Sequence, residues 1–225
     1  MTMQVGEAWF GHGRNAAFRH PQGVCLSLQR ALDCLICVMA APIILAVGIL
    51  IAFFIGLDGG PVFYTQRRIG LGGRPFDCFK FRSMVPGAEE RLEQVLAFDP
   101  VVRAEWDNYQ KLTVDPRITP LGRRIRAFSL DELPQLINVW RGEMSIVGPR
   151  PILTDQIALY GESFGDYCAL RPGITGLWQI AGRNDCTFAE RVRLDMEYAR
   201  AWSLARDLQI IVLTIPAVLA RKGAR

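Results

Sequence analysis

The chain has 225 residues, of which half are hydrophobic, and its 26 basic and 22 acidic side chains give a formal net charge of +4. This length fits one well-filled domain, and a positive mean hydropathy of +0.16 is high for a soluble protein. Of the six cysteines only Cys34 and Cys37 are close in sequence, and they lie in an uncharged apolar run, whereas a metal site would need more ligands and a redox pair a polar, accessible setting. All six are therefore interpreted as reduced packing residues.

The N-terminal part contains a tail followed by one long apolar segment. Residues 1–23 lack the apolar core of a signal peptide and are predicted to form a loosely ordered tail. From Cys34 to Leu57, 24 residues carry no charge. As one helix they would rise about 36 Å, more than the roughly 30 Å of a hydrocarbon core.

Two features complicate a simple membrane crossing. Pro42 interrupts the hydrogen bonding of the helix, and basic residues flank both ends of the segment although such residues mark the cytoplasmic side. A re-entrant membrane helix hairpin over residues 24–60, bent at Pro42, accounts for both features. The alternative is an ordinary spanning helix with a tolerated proline kink.

Residues 61–225 are predicted to form one cytoplasmic, membrane-associated domain. The strings FYTQRR and FDCFKFR, separated by Gly-rich residues, predict a β-hairpin near residues 62–83. Apolar residues alternate with charges between Glu89 and Leu112, which predicts an amphipathic helix. The apolar stretch Leu208–Leu219 is too short to span and predicts an interfacial helix, with a buried core helix as the alternative. The predicted fold class is therefore α/β and mainly helical, with a small hairpin and amphipathic helices.

Basic side chains are concentrated in two short segments. Five lie between residues 67 and 82, against one acid, and four lie between residues 117 and 126 without any acid. Such clusters suit phosphate-bearing ligands or an anionic lipid surface, and a solvated basic face is the alternative. No nucleic-acid partner is expected, because the clusters lack a recognised nucleic-acid-binding motif.

One segment carries two adjacent carboxylates. The string SLDE at residues 129–132 has the form of a capping box, which predicts that a helix begins there. A helix N-terminus keeps nearby carboxylates ionised, and an ionised Asp131 or Glu132 could attack phosphorus or bind a divalent metal. The alternative is that both carboxylates only cap the helix.

Several cations surround this segment in the sequence. Lys80 and Arg82 are one residue apart and would face the same way in a strand, while Arg126 precedes and Arg150 follows the two carboxylates. Arginine forks with a divalent metal can neutralise two phosphate-bearing substrates next to a carboxylate nucleophile.

The strings KFRSM, DPRIT, SLDELPQLINV, MSIVGPRP and RPGITGLWQIAGR occur in this order. Together they resemble the bacterial sugar transferases called monotopic phosphoglycosyl transferases, over about residues 28–219. The short length resembles the members that initiate exopolysaccharide repeat units. The resemblance implies an enzyme that transfers sugar-1-phosphate from a UDP-sugar to undecaprenyl phosphate, with release of UMP.

The resemblance also implies roles for individual residues. Asp131 would be the nucleophile that forms a covalent phosphosugar intermediate, and Glu132 would activate the lipid phosphate or position Mg²⁺ together with Asp131. Phosphates would be bound by Lys80, Arg82, Arg126, Arg150 and Arg183. Arg67, Arg68, Arg123 and Arg124 are instead interpreted as lipid-surface charges, and the re-entrant helix would break at Pro42, where Ala41 replaces a serine of some members.

The same resemblance predicts a location and partners: the cytoplasmic face of the bacterial inner membrane, with the membrane lipid and the two substrates as ligands. A homodimer is open, because many interfacial enzymes dimerise. Two other hypotheses remain, a hydrolase of nucleotide or lipid diphosphates and a non-catalytic scaffold for polysaccharide assembly. The sequence does not identify the sugar.

Overall fold

A computed structural model describes residues 23–181 and 186–220. Its longest element is helix α1, Gly23–Gly56, and it contains two small sheets. The four strands are β1 (Phe63–Ile69), β2 (Pro75–Phe81), β3 (Ser145–Val147) and β4 (Gly173–Thr175). The described part of the chain is therefore mostly helical, as predicted.

The remaining helices surround these strands. They are α2 (Ala88–Phe98), α3 (Pro100–Tyr109), α4 (Pro120–Ala127), α5 (Gln135–Arg141), α6 (Ile157–Tyr160), α7 (Phe164–Cys168), α8 (Leu177–Ala181), α9 (Phe188–Arg200) and α10 (Leu204–Leu219). Single 3₁₀ turns cover Leu71–Gly73, Leu130–Glu132, Thr154–Gln156 and Gly161–Ser163.

The predicted hairpin is confirmed. β1 and β2 pair antiparallel, with Phe63 opposite Phe81 and Arg67 opposite Asp77. The turn between them uses Gly72 and Gly73 at positive φ, a conformation that glycine adopts without steric cost.

The second sheet was not predicted. β3 and β4 pair in parallel, and each has only three residues. An added Cβ on Gly148 or Gly173 would overlap the facing backbone, so the segments GPRP and RPGIT approach each other through glycine.

The segment Glu89–Leu112 is helical, as predicted, but it forms two helices, α2 and α3, with a break at Asp99 that was not predicted. Asp99 ends α2 and caps α3, where its carboxylate accepts hydrogen bonds from the amides of Val101 and Val102. Pro100 follows at the first helical position, where its missing N–H has no cost.

Helix α1 is apolar and contacts the rest of the protein along its length. Leu26–Gly56 is long and apolar enough to cross a membrane. Near its start, Asp33 accepts hydrogen bonds from the Ser145 hydroxyl and the Ile146 amide, at 3.0 and 2.9 Å. Near its end, Ile55 is buried in a cluster with Phe81.

The opposite face of α1 is exposed and apolar, for example at Met39, Ile43 and Phe53. Pro42 lies inside what is a single helix throughout. The bent hairpin is therefore not confirmed, and it stays a prediction. The domain bounds 24–60 and 61–225 also stay predictions, and the tail over residues 1–23 lies, except for its last residue, outside the described part.

Helix α10 combines the two interpretations of its segment. Ile210 is almost fully buried in the main core, where it joins a cluster with Val147, Leu170 and Tyr198. Val212 and Ile215 are more than half exposed on another face. The helix therefore covers the core and also presents apolar side chains outward.

Candidate active site

One cavity of about 600 Å³ collects side chains from distant parts of the chain. Asp131 lines it from the 3₁₀ turn Leu130–Glu132, and Lys80 lines it from β2. Arg126 lines it from the last turn of α4, and Arg150 lines it from the GPRP segment after β3. The cavity therefore places a carboxylate among cations that are up to 70 positions apart in the sequence.

The turn that carries the carboxylates has an unusual start. Ser129 has φ of 56°, in the left-handed region that non-glycine residues seldom adopt, and its side chain makes no cap hydrogen bond. The predicted capping box was therefore wrong. Glu132 does not return to the Ser129 amide because its carboxylate is bound elsewhere, by Lys80.

Glu132 is held between two cations. Its Oε1 accepts a hydrogen bond from Lys80 Nζ at 2.8 Å and lies 3.8 Å from Arg150 Nη2. Burial in itself opposes ionisation of this carboxyl, but the two charges and the hydrogen bond outweigh it, so the pKa of Glu132 lies well below its usual range. Glu132 is an ionised, fixed group.

Asp131 has the opposite environment. Its side chain is 8% exposed, and none of the ion pairs among the described residues includes it. Burial raises the pKa of Asp131, and the neighbouring Glu132 charge adds to this, while Lys80 and Arg126 act against it. Two adjacent carboxyls with pKa values moved apart are the pattern of groups with different chemical tasks.

Arg82 has a different partner from Lys80. Both line the cavity, as expected for residues on one face of a strand. Arg82, however, donates to the Asp58 carboxylate and to the Ile55 carbonyl at the end of α1. It thus connects the cavity wall to the apolar helix.

A buried ion pair supports the opposite side of the cavity. Arg117 and Asp115, from the DPRIT segment, form a two-point contact with distances of 2.8 and 2.6 Å. The Arg117 guanidinium also lies 5.5 Å from the centre of the Trp106 ring, and all three residues line the cavity. This pair fixes α3 against the loop before α4.

Comparison with known proteins places this site in a family. A family model described as "Bacterial sugar transferase" matches residues 24–221. An exopolysaccharide production protein ExoY of Sinorhizobium fredii is 46% identical over 227 residues, which cover 99% of this chain and 98% of the relative. This chain belongs to the bacterial sugar transferase family. The family and the enzyme class predicted from the sequence are confirmed.

Other relatives of this sugar transferase are longer. A UDP-galactose-lipid carrier transferase of Erwinia amylovora is 47% identical over 197 residues, and an undecaprenyl-phosphate galactose phosphotransferase of Salmonella typhimurium is 46% identical over 197 residues. Each match covers 88% of this chain and 41% of the relative, so the chain spans about two fifths of their length.

The sugar transferase brings five of its predicted site residues to one cavity, namely Lys80, Arg82, Arg126, Asp131 and Arg150. Glu132 contacts Lys80 and Arg150 but is not itself part of the cavity lining. Arg183 lies outside the described residues. The roles assigned to these residues remain predictions.

Sequence reasoning missed three residues of the sugar transferase site. Arg68 was interpreted as a lipid-surface charge, but it lines the cavity and donates to the Pro151 carbonyl at 3.0 Å. Its neighbour Arg67 points the other way and is exposed, so the alternation along β1 could have separated the two. Trp178 and Arg191 also line the cavity. Trp178 lies in the string RPGITGLWQIAGR but was given no role, and no sequence signal marked Arg191.

Proposed function

We propose that the protein transfers sugar-1-phosphate from a UDP-sugar to undecaprenyl phosphate, with release of UMP and formation of undecaprenyl-diphospho-sugar. The observation that carries this proposal is Asp131, a buried carboxylate that forms no ion pair with any described residue and lines a cavity together with several cations. A carboxylate nucleophile and neutralised phosphates are what phosphoryl-type transfer between two anionic substrates requires.

The proposed chemistry has two steps. An oxygen of Asp131 attacks the sugar-bearing phosphorus of the UDP-sugar, and the bond from that phosphorus to the UMP oxygen breaks. UMP leaves with the electron pair, and a phosphosugar remains on Asp131 as a mixed anhydride. A phosphate oxygen of undecaprenyl phosphate then attacks the same phosphorus and releases the Asp131 carboxylate.

The raised pKa of Asp131 fits the first role. A desolvated carboxylate is a stronger nucleophile than a hydrated one, and the charges of Lys80 and Arg126 favour its ionised form against the effect of burial. Glu132 is proposed to orient Lys80 and Arg150 toward the phosphates and to help activate the lipid phosphate. Arg82, Arg126 and Arg183 are proposed to contact further phosphate oxygens.

The donor set also fits Mg²⁺. In the described residues no group of three or more His, Cys, Asp or Glu side chains could hold a metal by itself. Mg²⁺, however, commonly takes one or two carboxylates and completes its shell with water and substrate phosphates. Asp131, at the cavity, and the adjacent Glu132 would hold it. When bound, the ion would neutralise charge on the diphosphate.

Helix α1 supports a location at a membrane surface. Asp33 and Ile55 are 22 positions apart, about 33 Å along a straight helix, and both contact the same catalytic part. A helix that crossed the bilayer would carry one of these ends to the far side. We propose that α1 enters and leaves by the cytoplasmic face of the inner membrane, and that its apolar face lies in the lipid.

The names of the relatives support the substrates. One is named as a transferase to a lipid carrier with UDP-galactose, another as an undecaprenyl-phosphate galactose phosphotransferase, and the relative of similar length as an exopolysaccharide production protein. A step at the start of exopolysaccharide assembly agrees with these names. The identity of the sugar and a homodimer stay open proposals.

The test is UMP release, with Mg²⁺, from a panel of UDP-sugars with and without undecaprenyl phosphate. Sustained release from one sugar only when lipid is present supports the transferase and identifies the donor. Steady release without lipid would indicate the hydrolase instead. Absence of release from every sugar, with folded protein in detergent, would contradict the donor assignment and favour the scaffold.

A further inference from the structure

Three arginines form a cluster on one wall of the cavity, and we call Arg68, Arg150 and Arg191 the arginine triad. The guanidinium carbons of Arg150 and Arg191 lie 4.9 and 5.8 Å from the centre of the Trp178 ring. Burial, together with the positive charges of Arg150 and Arg191, lowers the pKa of Arg68 to about 10. The three groups are therefore near one another.

Hydrogen-bond donors of this cluster lack acceptors. Within the described part of the chain, Nε of Arg68, Nε and Nη2 of Arg191, and the indole Nε1 of Trp178 are buried without a partner. A buried donor left without an acceptor costs about 1–3 kcal/mol, and native proteins keep such groups mainly where an unseen ligand or water satisfies them. These four atoms are donors and call for an acceptor, although the Asp195 Oδ1 and Gln179 Oε1 acceptors near the cluster are also unpaired among the described residues.

The charges of the cluster point to an anion. Among the described residues, the side chain of Arg68 donates to two neutral acceptors, the Pro151 carbonyl and the Gln66 amide oxygen. Arg150 shares Glu132 with Lys80. The buried Asp195 carboxyl lies near Arg191 and accepts hydrogen bonds from the Tyr160 hydroxyl and from the backbone amide of Arg150, but no ion pair among the described residues joins it to a guanidinium of the triad. Three guanidinium groups therefore line the cavity with two carboxyls, Glu132 and Asp195, beside them.

We infer that the arginine triad, with the indole N–H of Trp178, is a binding site for a phosphate monoester dianion. The planar forks of arginine match the oxygens of such a group and give charge-assisted hydrogen bonds that lysine does not reproduce. The stacking of Arg150 and Arg191 around Trp178 fixes the direction of two of the forks. This site does not include Lys80, Arg126 or Asp131, and it meets the carboxylate pair through the contact of Arg150 with Glu132 at 3.8 Å.

The arginine triad is connected to Asp131 indirectly, because Arg150 contacts the adjacent Glu132. The charges with the largest effects on the pKa of Asp131 are those of Lys80, Glu132 and Arg126. The charge of Arg150 instead affects the pKa of Glu132. The charges of Arg150 and Arg191 affect the pKa of Arg68. Resting on the proposed function, we assign the triad to a phosphate other than the one under attack, because no ion pair among the described residues joins it to Asp131. Two phosphate monoesters have this chemistry, the departing UMP and the polyprenyl phosphate acceptor.

The test measures binding without turnover. Equilibrium binding of UMP and of farnesyl phosphate is compared for the full-length wild-type protein in detergent, Arg191→Gln, Arg68→Gln and Arg191→Lys. Arg67→Gln is the matched control, because Arg67 neighbours Arg68 on β1 but is exposed and paired with Asp77. Each glutamine variant should bind one of the two ligands at least about tenfold more weakly, while Arg191→Lys recovers part of the loss and Arg67→Gln binds as wild type.

The ligand that the variants bind more weakly identifies the source of the phosphate. Weaker binding of UMP assigns the triad to the leaving group, and weaker binding of farnesyl phosphate assigns it to the acceptor. Thermal unfolding without ligand separates binding from structure, since removal of one of three repelling buried cations should leave the melting temperature unchanged or raised. Binding of both ligands within twofold of wild type in folded Arg191→Gln and Arg68→Gln would overturn the inference. Because no UDP-sugar is used, this result is independent of whether the wild type releases UMP.

Discussion

The contact of Glu132 with Lys80 and Arg150 allows a direct test of the electrostatic arrangement behind the cavity. The side chains of Lys80, Glu132 and Arg150 are 16%, 18% and 26% exposed, so water screens the charges only in part. Glu132→Gln removes the negative charge and leaves two cations facing each other. Breaking a buried ion pair costs about 3–5 kcal/mol, and partial exposure lowers the expected loss here to about 2–3 kcal/mol.

In thermal unfolding this loss corresponds to a fall in melting temperature of roughly 5–10 °C for a chain of this size. The matched control is Asp77→Asn, which breaks the exposed pair between Asp77 and Arg67 at 3.2 Å. An exposed pair contributes about 0–1 kcal/mol, so the control should hardly change the melting temperature.

The pH dependence gives a second signature of the same pair. The pKa of Glu132 is lowered in the folded protein, so its stabilisation is complete above the unfolded value of 4.5 and is lost as the pH falls toward the lower folded value. The difference between wild type and Glu132→Gln should be equal at pH 6 and pH 8. Equal stability of Glu132→Gln and Asp77→Asn at pH 7 would refute the reasoning.

Three further predictions concern other residues. Asp131→Asn should abolish transfer but leave the melting temperature unchanged or raise it by a few degrees, because it removes a buried carboxylate whose raised pKa makes ionisation unfavourable. Transfer and thermal unfolding are measured on one preparation, and substantial residual transfer would contradict the assignment of Asp131 as the nucleophile. Burial raises the pKa of Asp195 to about 7, so its protonation should stabilise the protein as the pH falls from 8 to 6, and unfolding scans of Asp195→Asn should show a weaker pH dependence. Gly148→Ala should lower the free energy of unfolding, measured in urea, by about 1–3 kcal/mol, because the added Cβ would overlap the facing backbone. Gly165→Ala is the control, because the space around Gly165 is open. Equal effects of the two substitutions would argue against the close approach of the backbone at Gly148.

Local signals in the sequence predicted the parts of the fold that depend on neighbouring residues. The hairpin around Gly72 and Gly73 needs only alternating apolar residues and a turn that favours glycine, and both are visible in the sequence. The split between α2 and α3 was also locally encoded, by Asp99 and Pro100, but the apolar pattern continues across it and concealed it.

Long-range features could not be predicted in the same way. The parallel pairing of β3 and β4 joins segments of three residues that are 28 positions apart from Ser145 to Gly173. Such short strands have no periodicity to detect. Their pairing becomes intelligible only when Gly148 and the opposite backbone are seen in contact.

The candidate site was predicted in its composition but not in its connections. The adjacent carboxylates and the cations in nearby strings identified Asp131, Glu132, Lys80, Arg126 and Arg150. The capping box failed because Lys80, 52 positions away, binds the Glu132 carboxylate that the box would have used. Arg191 could not be found, because its role arises from burial beside Trp178, which no local pattern records.

The central claim is that the carboxylate of Asp131 becomes covalently linked to the phosphosugar. The most direct measurement is mass spectrometry of the protein after reaction with the productive UDP-sugar in the absence of lipid acceptor, followed by peptide mapping. The account predicts an added mass of one sugar phosphate on Asp131, which disappears when undecaprenyl phosphate is supplied and is absent from Asp131→Asn. Lipid-dependent product formation without any such adduct, or an adduct that persists in Asp131→Asn, would contradict it.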